Sequence, residues 1–225
     1  MPGKAKLTTL RCSTAMIVTP GISTRTLIVA TTNLGKLAEI RAMLDRHSVT
    51  LLRPIDVLGH SLDVVEDADT FEANAELKAR AVAAATGHLT LADDSGLEVD
   101  ALGGLPGVRS ARFAGEQASD ADNNAELLRR LKDVDCVALT ARFRCAMALF
   151  DPTGGACEVV NGSCEGTIIR EPRGHNGFGY DPLFLVAGQG NRTLAELPSA
   201  EKNAISHRGK AISAMLPRLL AMIGR

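Results

Sequence analysis

Asp93 and Asp94 are adjacent carboxylates that follow the apolar run Leu89–Ala92 and precede Ser95-Gly96. At a strand end two such groups repel each other. That cost is best tolerated when a divalent cation sits between the protein and a polyphosphate, and magnesium suits the role because it takes oxygen ligands and keeps several waters. Taken alone, the pair reads better as a solvated Asp-Asp turn. Glu66, Asp67 and Asp69 form a second acidic cluster, which could add a metal ligand, being one connection away from Asp94, but taken alone reads better as favouring the dipole of the helix that follows.

Three further groups carry donors or aromatic surface. Thr31-Thr32-Asn33-Leu34-Gly35-Lys36 sits where a buried strand gives way to a helix, the place where α/β proteins bind ligands; its amides, hydroxyls and lysine suit a phosphate. It is not a P-loop of the G-x-x-x-x-G-K-[ST] kind, since Ala30 and Leu37 stand where that pattern needs Gly and Ser or Thr. An ordinary helix cap with a solvated lysine is an equal reading of these residues alone. Gly174–Pro182 combines glycines with two aromatics. Phe178 between glycines could lie flat on a nucleobase and Asp181 could accept from a ring N–H, while Gly179 and Tyr180 complete the turn; a hairpin corner with Tyr180 folded inward is the competing account. Finally, Glu201–Lys210 is dense in donors. On one continuous helix Lys202 and His207 would point about 140° apart, so a break is expected near Ser206, letting Lys202 reach phosphates while His207 and Arg208 reach a base carbonyl.

Positioning these groups requires a regular frame. Leu27–Ala30 is a short buried strand, and Leu37, Ile40 and Leu44 recur at helical spacing through Arg46. A helix is expected from Phe71 to Thr86, started by a capping-box-like Asp69 and Glu72 and stopped by Gly87. Ser119 can cap a helix carrying Leu127, Leu128 and Leu131. Alternating apolar residues from Val137 to Leu149, the turn Asp151–Gly155, and a partner strand over residues 157–169 make a long antiparallel hairpin. A last helix covers residues 206–223, kinked at Pro217. Helices among short strands plus one hairpin indicate an α/β fold with a mixed sheet, folded as one unit with two lobes over residues 26–225.

Composition narrows the function. The chain has 225 residues and a net charge of −1, from 25 Lys+Arg against 26 Asp+Glu. No overall field exists to hold a nucleic acid, so a phosphate site must be local. With 3% aromatics and no Trp, a base-stacking platform for single strands lacks its material. Apolar runs fall far short of the roughly 20 residues that span a bilayer. Five cysteines with no C-x-x-C pair read as reduced structural thiols. Residues 1–25 contain four basic side chains and no acid; they read as a disordered extension or a mis-assigned start with initiation at Met16, in preference to a transit peptide.

No single motif decides the matter, but a phosphate-type loop, an acid pair, an aromatic glycine loop and a donor cluster are together the parts of a nucleoside triphosphate site. Over residues 27–220 the chain also resembles the inosine/xanthosine triphosphate pyrophosphatases. The carriers are Thr31–Lys36, Thr70–Ala75, Ala92–Leu97, Ser110–Gly115, Gly177–Pro182, and Glu201-Lys202-Asn203 with Ser206–Gly209, in family order. The resemblance implies an elongated mixed sheet with flanking helices, an active-site cleft between two lobes, a cytoplasmic homodimer and dependence on Mg2+. It implies hydrolysis of ITP, dITP, XTP or dXTP to the monophosphate and pyrophosphate. By position, Asp94 is then the proton acceptor and a metal ligand, and Glu66 the second metal ligand. Thr31, Thr32, Asn33, Leu34, Gly35, Lys36 and Lys202 hold the triphosphate; Ser95, Phe178, Gly179, Tyr180, Asp181, His207 and Arg208 surround the nucleoside. Many members carry Gly where Thr32 stands, so this loop must run through ordinary backbone angles. Two other classes stay open: a nucleotide-binding protein without hydrolysis, and a pyrophosphatase for other modified nucleotides.

Overall fold

The computed structural model describes residues 26–47, 49–135 and 139–223. Residues 1–25, expected to be an extension, lie outside the described residues, as do Cys12, Cys136 and Val137. Strand β1 (Thr26–Ala30) is buried along its whole length. Helix α1 (Leu34–Leu44) returns the chain to β2 (Thr50–Leu52), which pairs parallel with β1. A short helix α2 (Pro54–Leu58) and the long α3 (Phe71–Thr86) cross to β3 (Thr90–Val99), which is parallel to β1 on its other side. Thr70, and not Asp69, caps α3: its hydroxyl accepts from the Ala73 amide, while Gly87 closes the helix in the left-handed region as expected.

After helix α4 (Asp120–Leu131), capped by Ser119, the chain forms the hairpin β4 (Thr140–Phe150) and β5 (Cys157–Ile168) and the short β6 (Phe184–Val186). The sheet order is β2-β1-β3-β4-β5-β6, with antiparallel pairing from β3 onward. Helices α5 (Ser199–Ile205) and α6 (His207–Ile223) are separated at Ser206, whose backbone is extended, so the expected break is present; Pro217 lies inside α6.

Strand alternation assigns each helix to a face. Leu27, Val29, Leu91 and Met147 pack against α1 and α6 through Leu37, Ile40, Ala211 and Met215. Ile28, Ala30, Ala92, Ala146 and Ala148 point the other way, against Phe71, Ala75 and Ala79 of α3. A third cluster gathers Leu97, Phe143 and Phe184 with Leu127 and Leu131 of α4. Among the described residues, no helix is long and apolar enough to cross a membrane.

β3 is longer than its apolar run suggested. The last rung between β1 and β3 is Ala30 with Ala92, yet β3 continues through Asp93, Asp94, Ser95 and Gly96 to Val99, paired with β4 along one side and met on the other by a bridge between Glu98 and Pro106 near its end. The acid pair therefore stands inside a strand, where its other edge has lost its neighbour. This is a correction to the strand-end turn.

Close packing makes one point of the frame intolerant of change. A Cβ on Gly162 of β5 would overlap the His207 carbonyl and crowd the Ala211 amide at the start of α6. Because the obstacles are backbone atoms, Gly162→Ala should lower unfolding stability by about 2–3 kcal/mol, read as a lower urea midpoint at unchanged slope.

Candidate active site

Where β1 stops, its chain turns through Thr31-Thr32-Asn33 into α1, and Asn33 caps that helix by accepting from the Lys36 amide at 2.9 Å. Among the described residues only Asn191 is a non-glycine with left-handed φ, so Thr32 keeps the ordinary backbone its β-branch demands. Lys36, on the first turn of α1, reaches Asp93 at 3.1 Å. Asp93 also accepts from Arg208 at the start of α6, at 3.2 Å from both Nε and a terminal nitrogen. Both partners lie on the α1/α6 side of the sheet, where the odd-numbered residues of β3 point.

Asp94 points to the α3 side. Its carboxylate accepts from the Asn74 side chain at 3.0 Å and from the Ser95 amide at 2.9 Å. Asn74 in turn holds Ala68 through both backbone groups, at 2.9 and 3.2 Å, which fixes the segment carrying Glu66. Lys78, one turn further along α3, meets Glu66 at 2.6 Å, and Arg112 donates to the Glu66 carbonyl at 3.0 Å.

The two aspartates consequently have opposite electrostatics. Burial alone would push Asp93 up, but Lys36, Arg208 and Lys78 overrule it and hold the carboxyl well below its ordinary range. Burial pushes Asp94 up, against the pull of Lys36 and Lys78. Asp93 is thus a permanent anion, and Asp94 a more basic carboxylate.

The opposite wall is built on a second set of pairs. Lys202 contacts Asp181 at 2.5 Å and Glu39 of α1 at 2.7 Å; burial disfavours its charge, yet these two carboxylates keep it protonated. Glu39 also accepts from Arg208 at 2.5 Å, and Arg208 donates to Ser95 at 2.8 Å. Phe178 lies with its ring centre 5.0 Å from the Lys202 ammonium and 5.7 Å from the Arg208 guanidinium. A side chain on Gly35 would come within 2.6 Å of that ring, so the phosphate-type loop and the aromatic loop touch there. Tyr180 folds inward and donates to the Ser110 carbonyl at 2.8 Å. His207 stacks on Phe143 at 4.7 Å; burial, with Arg208 and Lys202 nearby, drives its pKa well down, so the ring is neutral. Its Nδ1 is buried without a protein partner.

Of the residues named for substrate or metal, all but Leu34 and Gly35 line one cavity of about 630 Å3. Leu34 is 66% exposed beside it. Glu66, Asp94, Lys36 and Lys202 converge on that cavity. Among the described residues no three His, Cys, Asp or Glu side chains could cage a metal unaided. Magnesium rarely needs such a cage, being commonly held by one or two carboxylates with substrate phosphates and water. Asp94 and Glu66 fit that mode.

Sequence reasoning missed Glu39, Asn74, Lys78 and Arg112 as parts of the site. Asn74 carried a usable signal, since it interrupts the apolar stripe of Phe71, Ala75 and Ala79 and is buried. Lys78 follows it by one turn on the same side. Glu39 follows Lys36 by three residues on α1, a spacing that places both on one side of a helix.

The chain matches the model of the Ham1 family over residues 27–218. A dITP/XTP pyrophosphatase of Exiguobacterium sibiricum is 51% identical over 200 residues, covering 88% of this chain and 98% of that protein. The solved structure of a HAM1 protein from Coxiella burnetii superposes with a TM-score of 0.78 at 41% identity, covering 87% of this chain and 98% of that one. A nucleoside-triphosphatase / dITP/XTP pyrophosphatase structure from Mycobacterium abscessus gives 0.69 at 46% identity, covering 85% and 99%.

The depressed Asp93 carboxyl sets a pH signature. A lowered folded pKa contributes stability above the unfolded value, about 3.9, and loses it as pH falls through the folded value. Asp93→Asn should therefore unfold about 3 kcal/mol more easily across pH 5–8, because Lys36 and Arg208 lose their shared counter-charge. The gap should close only below pH about 4 in a urea series; a gap that narrows near neutrality would contradict the pairing.

Proposed function

This chain belongs to the Ham1 family, and on that premise we propose that it hydrolyses ITP, dITP, XTP and dXTP to the nucleoside monophosphate and pyrophosphate. One observation carries the reading: Asp94, Glu66, Lys36 and Lys202 line the same cavity as the Phe178 ring and the Arg208 guanidinium, so polyphosphate chemistry and base recognition share one space. The three core clusters, one around Leu97 and two on the faces beside β1, support two lobes with this cavity as their cleft. The family resemblance supports a homodimer acting on the cytoplasmic nucleotide pool.

The residues divide by chemistry. Asp94 is the proton acceptor: it orients a water for attack at the α-phosphorus and takes its proton, and burial makes it a better base than an exposed carboxylate. Asn74 and the Ser95 amide keep that carboxylate in one orientation. Thr31, Thr32, Asn33, Lys36 and Lys202 hold the phosphates, with Leu34 and Gly35 serving through backbone alone. Mg2+ held by Asp94 and Glu66 would neutralise phosphate charge.

At the other end Phe178 stacks on the purine, while Arg208 and His207 donate to a carbonyl at position 6. A 6-oxo purine accepts there and donates its N1–H, whereas adenine reverses both roles. Binding adenine would leave donors unpaired at roughly 1–3 kcal/mol each. Ser95 and Asp181 fix Arg208 and Lys202 in that arrangement.

With magnesium, the chain should release pyrophosphate from ITP and XTP far faster than from ATP; equal turnover of ATP and ITP would defeat the base-reading scheme. Binding without release would leave a nucleotide-binding protein. Asp94→Asn should keep the fold and most nucleotide affinity while lowering turnover by about three or more orders of magnitude. Near-normal turnover in that variant would remove Asp94 from the chemistry.

A further inference from the structure

Helix α4 carries no residue assigned to the reaction, yet its first two turns hold the segment over residues 111–114 and the aromatic loop at Gly179. Asn123 accepts from the Ala114 amide at 2.9 Å and donates to the Ala111 carbonyl at 3.1 Å. Asp120 accepts from the Gly179 amide at 2.7 Å, and Asn124 donates to the Gly179 carbonyl at 3.0 Å. Asp120 and Asn124 are one helical turn apart and face the same way, so together they grip both polar backbone groups of a single residue. Gly179 has φ +62° and pairs with no strand, which leaves those groups dependent on side chains. The grip stands on a firm base: Ser119 and Asp122 form a capping box, and Leu127 and Leu131 are fully buried.

We propose that Asp120 and Asn124 are positioning residues that set purine selectivity by fixing Gly179, and with it the tilt of the Phe178 ring over the base. The proposal rests on the hydrolysis reading above and addresses what that reading leaves open. Guanine presents the same 6-oxo edge as hypoxanthine, so donors at position 6 do not separate them. The difference lies at position 2, where guanine carries a donating amino group, xanthine an accepting carbonyl and hypoxanthine only hydrogen; denying the amino group an acceptor needs a wall that does not yield. Phe178 and Tyr180 flank Gly179, and the glycines at 177 and 179 would leave this wall loose by themselves. Asp181 accepts from the Phe178 amide at 2.9 Å and Tyr180 is tied to Ser110, so Gly179 is the remaining free joint. α4 closes it.

The test compares the full-length chain with Asp120→Ala, Asp120→Asn and Asn124→Ala. In Asp120→Ala and Asn124→Ala, the ratio of kcat/KM for ITP over GTP should fall about ten-fold, with KM for ITP raised and kcat within about three-fold of the parent. Asp120→Asn keeps an acceptor oxygen and should restore most of the ratio. In nucleotide-free protein, exchange of the Gly179 amide should quicken about ten-fold in Asp120→Ala at an unchanged urea midpoint. Faster exchange with unaltered selectivity would overturn the proposal, and so would unaltered exchange. Asp120→Asn as poor as Asp120→Ala would mean that the carboxylate charge acts on substrate directly, which also overturns it. A parent chain that releases no pyrophosphate from any 6-oxo purine triphosphate fails before any substitution is made; that result sinks the hydrolysis reading and the proposal with it.

Discussion

Successive side chains of a β-strand point to opposite faces, and in β3 this rule separates two carboxylates that sequence places side by side. Asp93 goes to the face covered by α1 and α6, where Lys36 and Arg208 meet it. Asp94 goes to the face covered by α3, where it accepts from Asn74. Mutual repulsion is thereby exchanged for two separate environments, one rich in cations and one desolvated. The consequence is a division of labour within a dipeptide. One charge is spent holding the site together, and the other remains available to act.

The same strand explains why both faces can serve one cavity. β1 pairs with β3 only as far as Ala92, so from Asp93 to Gly96, before Glu98 bridges to Pro106, the edge of β3 is open toward the loop that leaves β1. Ser110 fills part of the vacated edge by accepting from the Leu97 amide at 2.8 Å, and the Ser95 amide turns to the Asp94 carboxylate. A cavity wrapped around an unpaired edge is reached from α1 and α6 on one side and from α3 on the other. Three cations, Lys36, Lys202 and Arg208, are balanced there by Asp93, Glu39 and Asp181. The donors are held in place without a large uncompensated field, in keeping with a chain whose net charge is near zero.

Much of the frame was legible because it follows local rules. Ser119 caps α4, Gly87 stops α3, and the alternation in β4 gives a hairpin. The separation of Lys202 from His207 required a break at Ser206, and one is present. What escaped depends on distant partners. Leu89–Ala92 reads as a complete strand because aspartates resemble a turn in isolation, while the extension from Asp93 to Val99 is enforced by seven further rungs with β4. The three-residue strands β2 and β6 have too little pattern to be seen. Thr70 displaced Asp69 as the cap because the register of α3 is set by Phe71 entering the core. By its spacing alone Glu39 is one more surface acid on a helix, and only the arrival of Lys202 and Arg208 gives it a role.

That dependence on distance makes the site a product of complete folding. Arg208 and Glu39 are 169 residues apart in sequence, and Arg208 and Asp93 are 115 apart. Docking of α6 buries Ala211, Ile212, Met215 and Leu219 on the sheet and, in the same movement, delivers Arg208 to both carboxylates. Neither half stands well alone. A buried guanidinium without partners costs several kcal/mol, and Asp93 enclosed without Arg208 would bear a similar penalty. Apolar burial therefore supplies the drive, while the ion pairs permit only one seating of the helix, since any slip along its axis would bury a charge unpaired. The hydrophobic face of α6 decides that the helix docks; Arg208 decides where.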